Sequence, residues 1–193
     1  MNAVTQMLAP SATDMIRADH TRVLAAFHKY DIEARPATKR ALVETVCFAL
    51  EVHAQIEEEI FYPALRGTDS PLIDRFVPEH AEMRRLIASL RGTNPEDASD
   101  TQYDAIFMEL MRSVMHHVAD EETLLLPEAE RVLGDEVCEL GAHMMKRRLE
   151  LKAPAIRDMT RKAAVPAALL LATGALVAGG LYAHRQGWTK RFI

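Results

Sequence analysis

Two segments 64 residues apart share one spacing: His53-Ala-Gln-Ile-Glu57-Glu58-Glu59-Ile-Phe-Tyr-Pro63 and His117-Val-Ala-Asp-Glu121-Glu122-Thr-Leu-Leu-Leu-Pro127, both HxxxEExxxxP. On an α-helix, residues four apart lie about 40° from one another around the axis, so each histidine points the same way as its glutamate. The neighbours say which way. Leu42, Val46, Ala49, Leu50, Ile60 and Phe61 repeat with helical period around the first pair, and Ile106, Leu110, Val114, Leu124 and Leu125 around the second. Two further histidines occupy equivalent stripes. His20 falls on the face of Ile16, Val23, Leu24 and Phe27, and His80 is surrounded by Ile73, Phe76, Val77, Met83, Ile87 and Leu90. His20 precedes the first motif by 33 residues and His80 precedes the second by 37, so the chain reads as two helical hairpins. Closed face to face, they predict an all-α, antiparallel up-down four-helix bundle with four imidazoles and two carboxylates converging in its core.

Such a core is costly without a counter-charge, because an uncompensated buried carboxylate costs several kcal/mol or protonates. Two metal ions bridged by the carboxylates remove that cost. Imidazole with carboxylate favours iron or manganese over a cysteine-rich zinc site. Bundles that hold paired metals from inward side chains are an established architecture, although their usual signature is ExxH and the order here is HxxxE. The bland alternative is chance placement of polar residues on core faces, which the internal repetition disfavours. Glu58, Glu59 and Glu122 read as solvated or as supports behind a ligand, with Glu58 also placed to hydrogen-bond an imidazole. His116 reads as outward, His28, His143 and His184 as surface or packing residues, and Tyr62 as packing, with a lean over the site as the alternative. Met83, Met108, Met111, Met115, Met144 and Met145 suit gap-filling in a bundle core.

Punctuation sets the expected boundaries. A first helix, capped by Ser11 or Thr13, runs to about Glu33; a second runs from Pro36 to Pro63 or slightly beyond; a third runs from the Ser70-Pro71 restart to Gly92. After the polar run 93–100, a fourth covers about Thr101 to Leu126 and a fifth about Glu128 to Leu151, stopping before Pro154. The expected organisation is a bundle over residues 1–130, an additional helix and basic linker over 131–160, an apolar segment over 163–183 and a short basic tail over 184–193. A net charge of −5 with mixed signs gives no reason to expect nucleic acid as a partner. Cys47 and Cys138 form no CxxC and read as small core residues in a reduced compartment. The N-terminus shows no signal-peptide pattern. Ala163 to Ala183 holds no charged residue, is flanked by Arg157, Arg161, Lys162, Arg185, Lys190 and Arg191, and is long enough to cross the roughly 30 Å hydrocarbon layer as a helix. A lipid bilayer is therefore an expected partner, with the bundle facing the cytoplasm. The alternatives are an extra packed helix or an association helix on a soluble cytoplasmic protein.

At these residues the chain resembles the hemerythrin-like, HHE cation-binding family, over about residues 11–130. The resemblance rests on His20, both HxxxEExxxxP motifs and His80 within Pro78-Glu79-His80. It implies an antiparallel four-helix bundle, to which the fifth helix is an addition, and an oxo- or hydroxo-bridged di-iron centre, with manganese or zinc as substitutes. Carried over, His20, His53, Glu57, His80, His117 and Glu121 are the expected ligands, with Glu57 and Glu121 the bridges. Oxygen-carrying hemerythrins have a second histidine four positions after the third-helix histidine; here that position is Arg84. They also end in HxxxxD, whereas this chain offers His117xxxGlu121 or, alternatively, His116xxxxGlu121. The pattern is more similar to sensor, iron-handling and stress-response members.

Three functions follow as expectations. The first is a membrane-tethered di-iron module that binds dioxygen, nitric oxide or iron for sensing, storage or protection. The second is a di-iron enzyme acting on peroxide or nitric oxide. The third is a membrane-anchored helical adaptor whose metal is structural.

Overall fold

The computed structural model describes residues 10–68, 72–93 and 100–163, and all regular structure among them is helical. Helix α1 spans Ala12–Phe27; α2 spans Pro36–Ile56 and continues through a π-helical turn, Glu57–Phe61, into α3, Tyr62–Arg66. Helix α4 spans Ile73–Gly92; α5 spans Asp100–Asp120 and continues through a second π turn, Glu121–Leu125, into α6, Leu126–Leu133. Helix α7 spans Glu136–Ala163. Local chemistry explains the starts. The Ser11 hydroxyl accepts the Asp14 N–H at 3.1 Å, and Pro36 opens α2, where a missing N–H costs nothing.

Helix α1 packs on α2, α2 on α4, α4 on α5, and α5 closes back on α1. Above the histidines, Val23, Phe27, Val46, Leu50, Leu86, Ile87, Phe107 and Leu110 form one apolar layer. Below them, Met15, Ile16, Ile56, Phe61, Leu65, Phe76, Leu125 and Leu126 form another. At the far end, Lys39, only 1 % exposed, places its Nζ 2.9 Å from both carboxylate oxygens of Asp104, which also accepts the Tyr30 hydroxyl.

Several expected boundaries are corrected. The first helix ends at Phe27 rather than Glu33, because the chain enters a turn in which the Asp31 side chain accepts the Glu33 N–H at 2.9 Å. The second helix runs slightly past Pro63, to Arg66, as expected, but Pro127 does not end the fourth. Proline offers no N–H to the preceding turn and its ring crowds the carbonyl four residues back. In both motifs the helix widens instead: the Tyr62 N–H reaches the Glu57 carbonyl and the Leu126 N–H reaches the Glu121 carbonyl, five residues back. The extra residue advances the inward face. Phe61 with Tyr62, and Leu125 with Leu126, point into the core, while Ile60 is only half-buried and Leu124 is 40 % exposed, against their expected places on the stripe. The expected fifth helix is broken at Gly134, whose φ of +52° an L-residue avoids, and α7 then runs on through Pro154. Cys47 is buried as expected, but Cys138 is exposed.

The chain divides into one compact unit through Leu149, which holds the bundle, and a second from Glu150, described here as the remainder of α7. Except for Ala163, the uncharged stretch 163–183 lies outside the described residues, as does the tail 184–193. Among the described residues no helix is long and apolar enough to cross a membrane.

Candidate metal centre

The side chains of His20, His53, Glu57, His80, His117 and Glu121 all meet at mid-height, none more than 5 % exposed. His20 comes from α1, His53 from α2, His80 from α4 and His117 from α5; the two glutamates open the two π turns. All four imidazoles turn Nε2 inward. Glu57 lies between two of them, with Oε1 3.1 Å from His53 Nε2 and Oε2 3.3 Å from His80 Nε2. Glu121 Oε2 lies 3.1 Å from His20 Nε2 and 3.5 Å from His117 Nε2, and the Nε2 atoms of His80 and His117 are 3.4 Å apart. His116, the alternative on α5, is exposed. So are His28 and His143, and His184 lies outside the described residues.

These approaches are close without being hydrogen bonds throughout. Five buried atoms, His20 Nε2, His53 Nε2, Glu57 Oε1 and both oxygens of Glu121, have no hydrogen-bond partner. Buried polar atoms are nearly always satisfied, and five orphans converging at one point are a set that a bound cation would satisfy. The donors fall into two overlapping sets, His20, His53, His117 and Glu121, and His53, Glu57, His80 and His117. Within each set the donor atoms lie within 4.8 Å of one another. Nitrogen and carboxylate donors at that density fit a bound metal ion, with His53 and His117 common to both groupings.

The outer nitrogens follow a rule of their own. Each Nδ1 faces a carboxylate from the neighbouring helix, and the partners run round the bundle in one direction. Asp19 on α1 faces His53 at 3.8 Å, Glu58 beside α2 faces His80 at 3.0 Å, Glu79 on α4 faces His117 at 2.9 Å, and Glu122 beside α5 faces His20 at 2.8 Å. An acid on Nδ1 fixes the ring and raises the donor strength of Nε2, the arrangement that metal-binding histidines favour. Arg84, which stands where an oxygen carrier has its second histidine, donates to Glu58 Oε2 and so holds that acid in place.

The sequence pattern gives Asp19 and Glu79 no role, and Glu58 and Glu122 read from it as solvated or as partners of a ligand. The signal was present: four of the six core donors have an acidic neighbour in sequence, as Asp19-His20, Glu57-Glu58, Glu79-His80 and Glu121-Glu122. A step of one residue turns about 100° around the helix, which aims the acid at the adjoining helix. Tyr62 also does more than pack. The π turn sets it beneath Glu57, where its hydroxyl donates to Glu57 Oε2 at 3.1 Å, sits 3.4 Å from His80 Nε2, and its ring stacks on that of His80.

The electrostatics match a cluster of mixed charge. Burial disfavours the charged ring of His117, yet the nearby Glu121 carboxylate and the hydrogen bond to Glu79 outweigh it and push the pKa up to about 10. His20 is raised in the same way, by Glu121 above all, against its own burial. Burial would raise Glu121, but His117 and His20 hold it well below the usual carboxylate range. Burial and then the Glu57 charge keep the Tyr62 phenol protonated far above its ordinary range.

Comparison with known proteins agrees with this geometry. Residues 11–129 match the sequence model of the hemerythrin HHE cation binding domain, and the chain belongs to that family of cation-binding helical proteins. Among solved structures, a hemerythrin HHE cation binding domain-containing protein from Mycobacterium kansasii superimposes with a TM-score of 0.65 at 19 % identity, covering 78 % of this chain and 92 % of that one. A DNA nickase from Nostoc sp. is 29 % identical over 138 residues, which is 69 % of this chain and 37 % of that relative. The chain thus spans little more than a third of the nickase.

Proposed function

We propose that the bundle is a di-iron domain that binds a small oxygen- or nitrogen-containing molecule for sensing, storage or protection. One observation carries the reading: five unsatisfied donor atoms meet in the core while every outer imidazole nitrogen is backed by an acid. His20, His53, His80 and His117 would hold two irons between them, each imidazole giving its single inward Nε2 to one iron, with Glu57 and Glu121 as the bridging carboxylates. Iron so bound supplies a redox-active centre with coordination positions free for dioxygen, nitric oxide or peroxide. The surroundings support a ligand of that size. A cavity of about 10 Å³ lies against His20, His53 and His117 and is otherwise lined by Val23, Leu50, Val114, Val118 and Asp19, leaving room for about one water-sized molecule and no organic substrate. A duplex phosphodiester would not reach donors this deeply buried, so the activity named for the Nostoc relative is not carried over.

Tyr62 favours a second reading, turnover of peroxide or nitric oxide, because it sets a buried hydroxyl beside Glu57. Repeated turnover with either substrate, lost in His53→Ala, would decide for the enzyme; stoichiometric binding alone would decide for the module. From sequence alone, we also assign residues 163–183 the role of tethering the domain to a bilayer with the bundle facing the cytoplasm. The reading as a whole is tested by iron loading. The chain should take up about two irons and develop the charge-transfer absorption of an oxygen-bridged iron pair. A protein that stays colourless and iron-free would refute it.

A further inference from the structure

The ring of outer acids has one irregular member. Three acids reach their histidine within 3.0 Å, but Asp19 stands 3.8 Å from His53 Nδ1. One cause is length, since aspartate is a methylene shorter than glutamate. The other is an arginine. Arg84 takes Oε2 of Glu58 and leaves Oε1 to His80, and Arg75 faces Oε1 of Glu79 while Oε2 serves His117. At Asp19 both oxygens are taken: Arg22 holds Oδ1 at 2.9 Å, and Arg148 bonds Oδ2, the oxygen that faces His53.

Arg148 belongs to α7, beyond the residues 11–129 that define the family domain, and is 8 % exposed. Its position is fixed by close packing. A Cβ on Gly141 would fall 2.2 Å from the Pro10 carbonyl oxygen, so α7 lies backbone to backbone on the start of α1, and Met144 is buried beneath it. A guanidinium on Oδ2 draws on the lone pairs that would otherwise strengthen His53, and His53 is common to both donor sets.

We propose that Arg148 is a positioning residue that, through Asp19, weakens His53 as a metal donor, so that α7 sets how readily the centre gives up its iron. This rests on the iron-centre reading above. With α7 docked, Asp19 is shared and iron exchanges; with Arg148 withdrawn, Oδ2 turns wholly to His53 and iron is held more firmly. A residue that only stapled α7 to the bundle would act with the opposite sign, its loss loosening the site.

The experiment is removal of iron from the full chain by a ferrous chelator under reducing conditions, comparing wild type with Arg148→Met, Asp19→Glu and Arg147→Met. Methionine keeps the buried stem of Arg148 without its charge, and glutamate restores the missing methylene. Arg147, which pairs with Glu59 at 2.6 Å on the same helix, controls for docking. Arg148→Met and Asp19→Glu should each release iron about tenfold more slowly, the lower range for changes at such partners, with Arg147→Met like wild type. Release at or above the wild-type rate in Arg148→Met overturns the proposal. Should that variant not fold, Asp19→Glu decides by the same criterion. A wild type that loads no iron overturns the iron-centre reading and this inference with it. A wild type that loads iron while both variants behave identically to it overturns this inference alone.

Discussion

Removing the metal should destabilise the bundle by an amount that the structure lets one work out. Five buried donor atoms have no hydrogen-bond partner. Each such atom costs about 1–3 kcal/mol when nothing satisfies it. The lower figure applies here, because the metal-free cluster keeps some attraction between His20 and Glu121, 3.1 Å apart. The sum is about 5 kcal/mol, a large part of the total stability of an ordinary domain. At about 2–4 °C per kcal/mol for a chain of this size, the thermal midpoint should fall by about 10–20 °C on stripping. The assay is thermal unfolding followed by circular dichroism, on chelator-treated and iron-reloaded samples of one preparation. Midpoints within about two degrees of each other would refute the reasoning, since the five atoms would then need no metal.

Other outcomes follow from the same geometry. Tyr62→Phe removes the hydroxyl that donates to Glu57 Oε2, so the variant should fold and load iron but show shifted visible absorption; an unaltered spectrum would return Tyr62 to packing. The metal-free protein should lose stability with rising pH. His117, raised from an ordinary 6.5 to about 10, contributes fully below pH 6.5 and loses that contribution as the pH rises through 10. Glu121, depressed from an ordinary 4.5, contributes above pH 4.5 and loses its share as the pH falls further. A thermal midpoint of metal-free protein that stays level between pH 6.5 and 10 would contradict this assignment. Removing residues 163–193 should move the protein from the membrane fraction to the soluble fraction with its iron retained; full-length protein soluble without detergent would count against the tether.

The helical period alone made the four histidines and two glutamates legible, because each sits where an apolar residue belongs. What it missed lies off that stripe. Asp19 and Glu79 face a neighbouring helix rather than the centre, and only the identity of that neighbour reveals their partners, His53 and His117. Pro127 misled for a related reason. A rule for regular α-helix stops there, whereas the chain widens by one residue ahead of both prolines and continues, carrying Tyr62 under Glu57 and turning Leu124 outward. Arg148 was beyond reach altogether, since nothing local to α7 indicates that it meets Asp19, 129 residues earlier.

Iron content measured together with the absorption spectrum tests the central claim most directly. The account predicts about two irons per chain, with bands of an oxygen-bridged pair that change on exposure to dioxygen or nitric oxide, and loss of both iron and bands when His53 and His117 are replaced together. A chain that binds no iron, or binds it equally well without those two histidines, would contradict it.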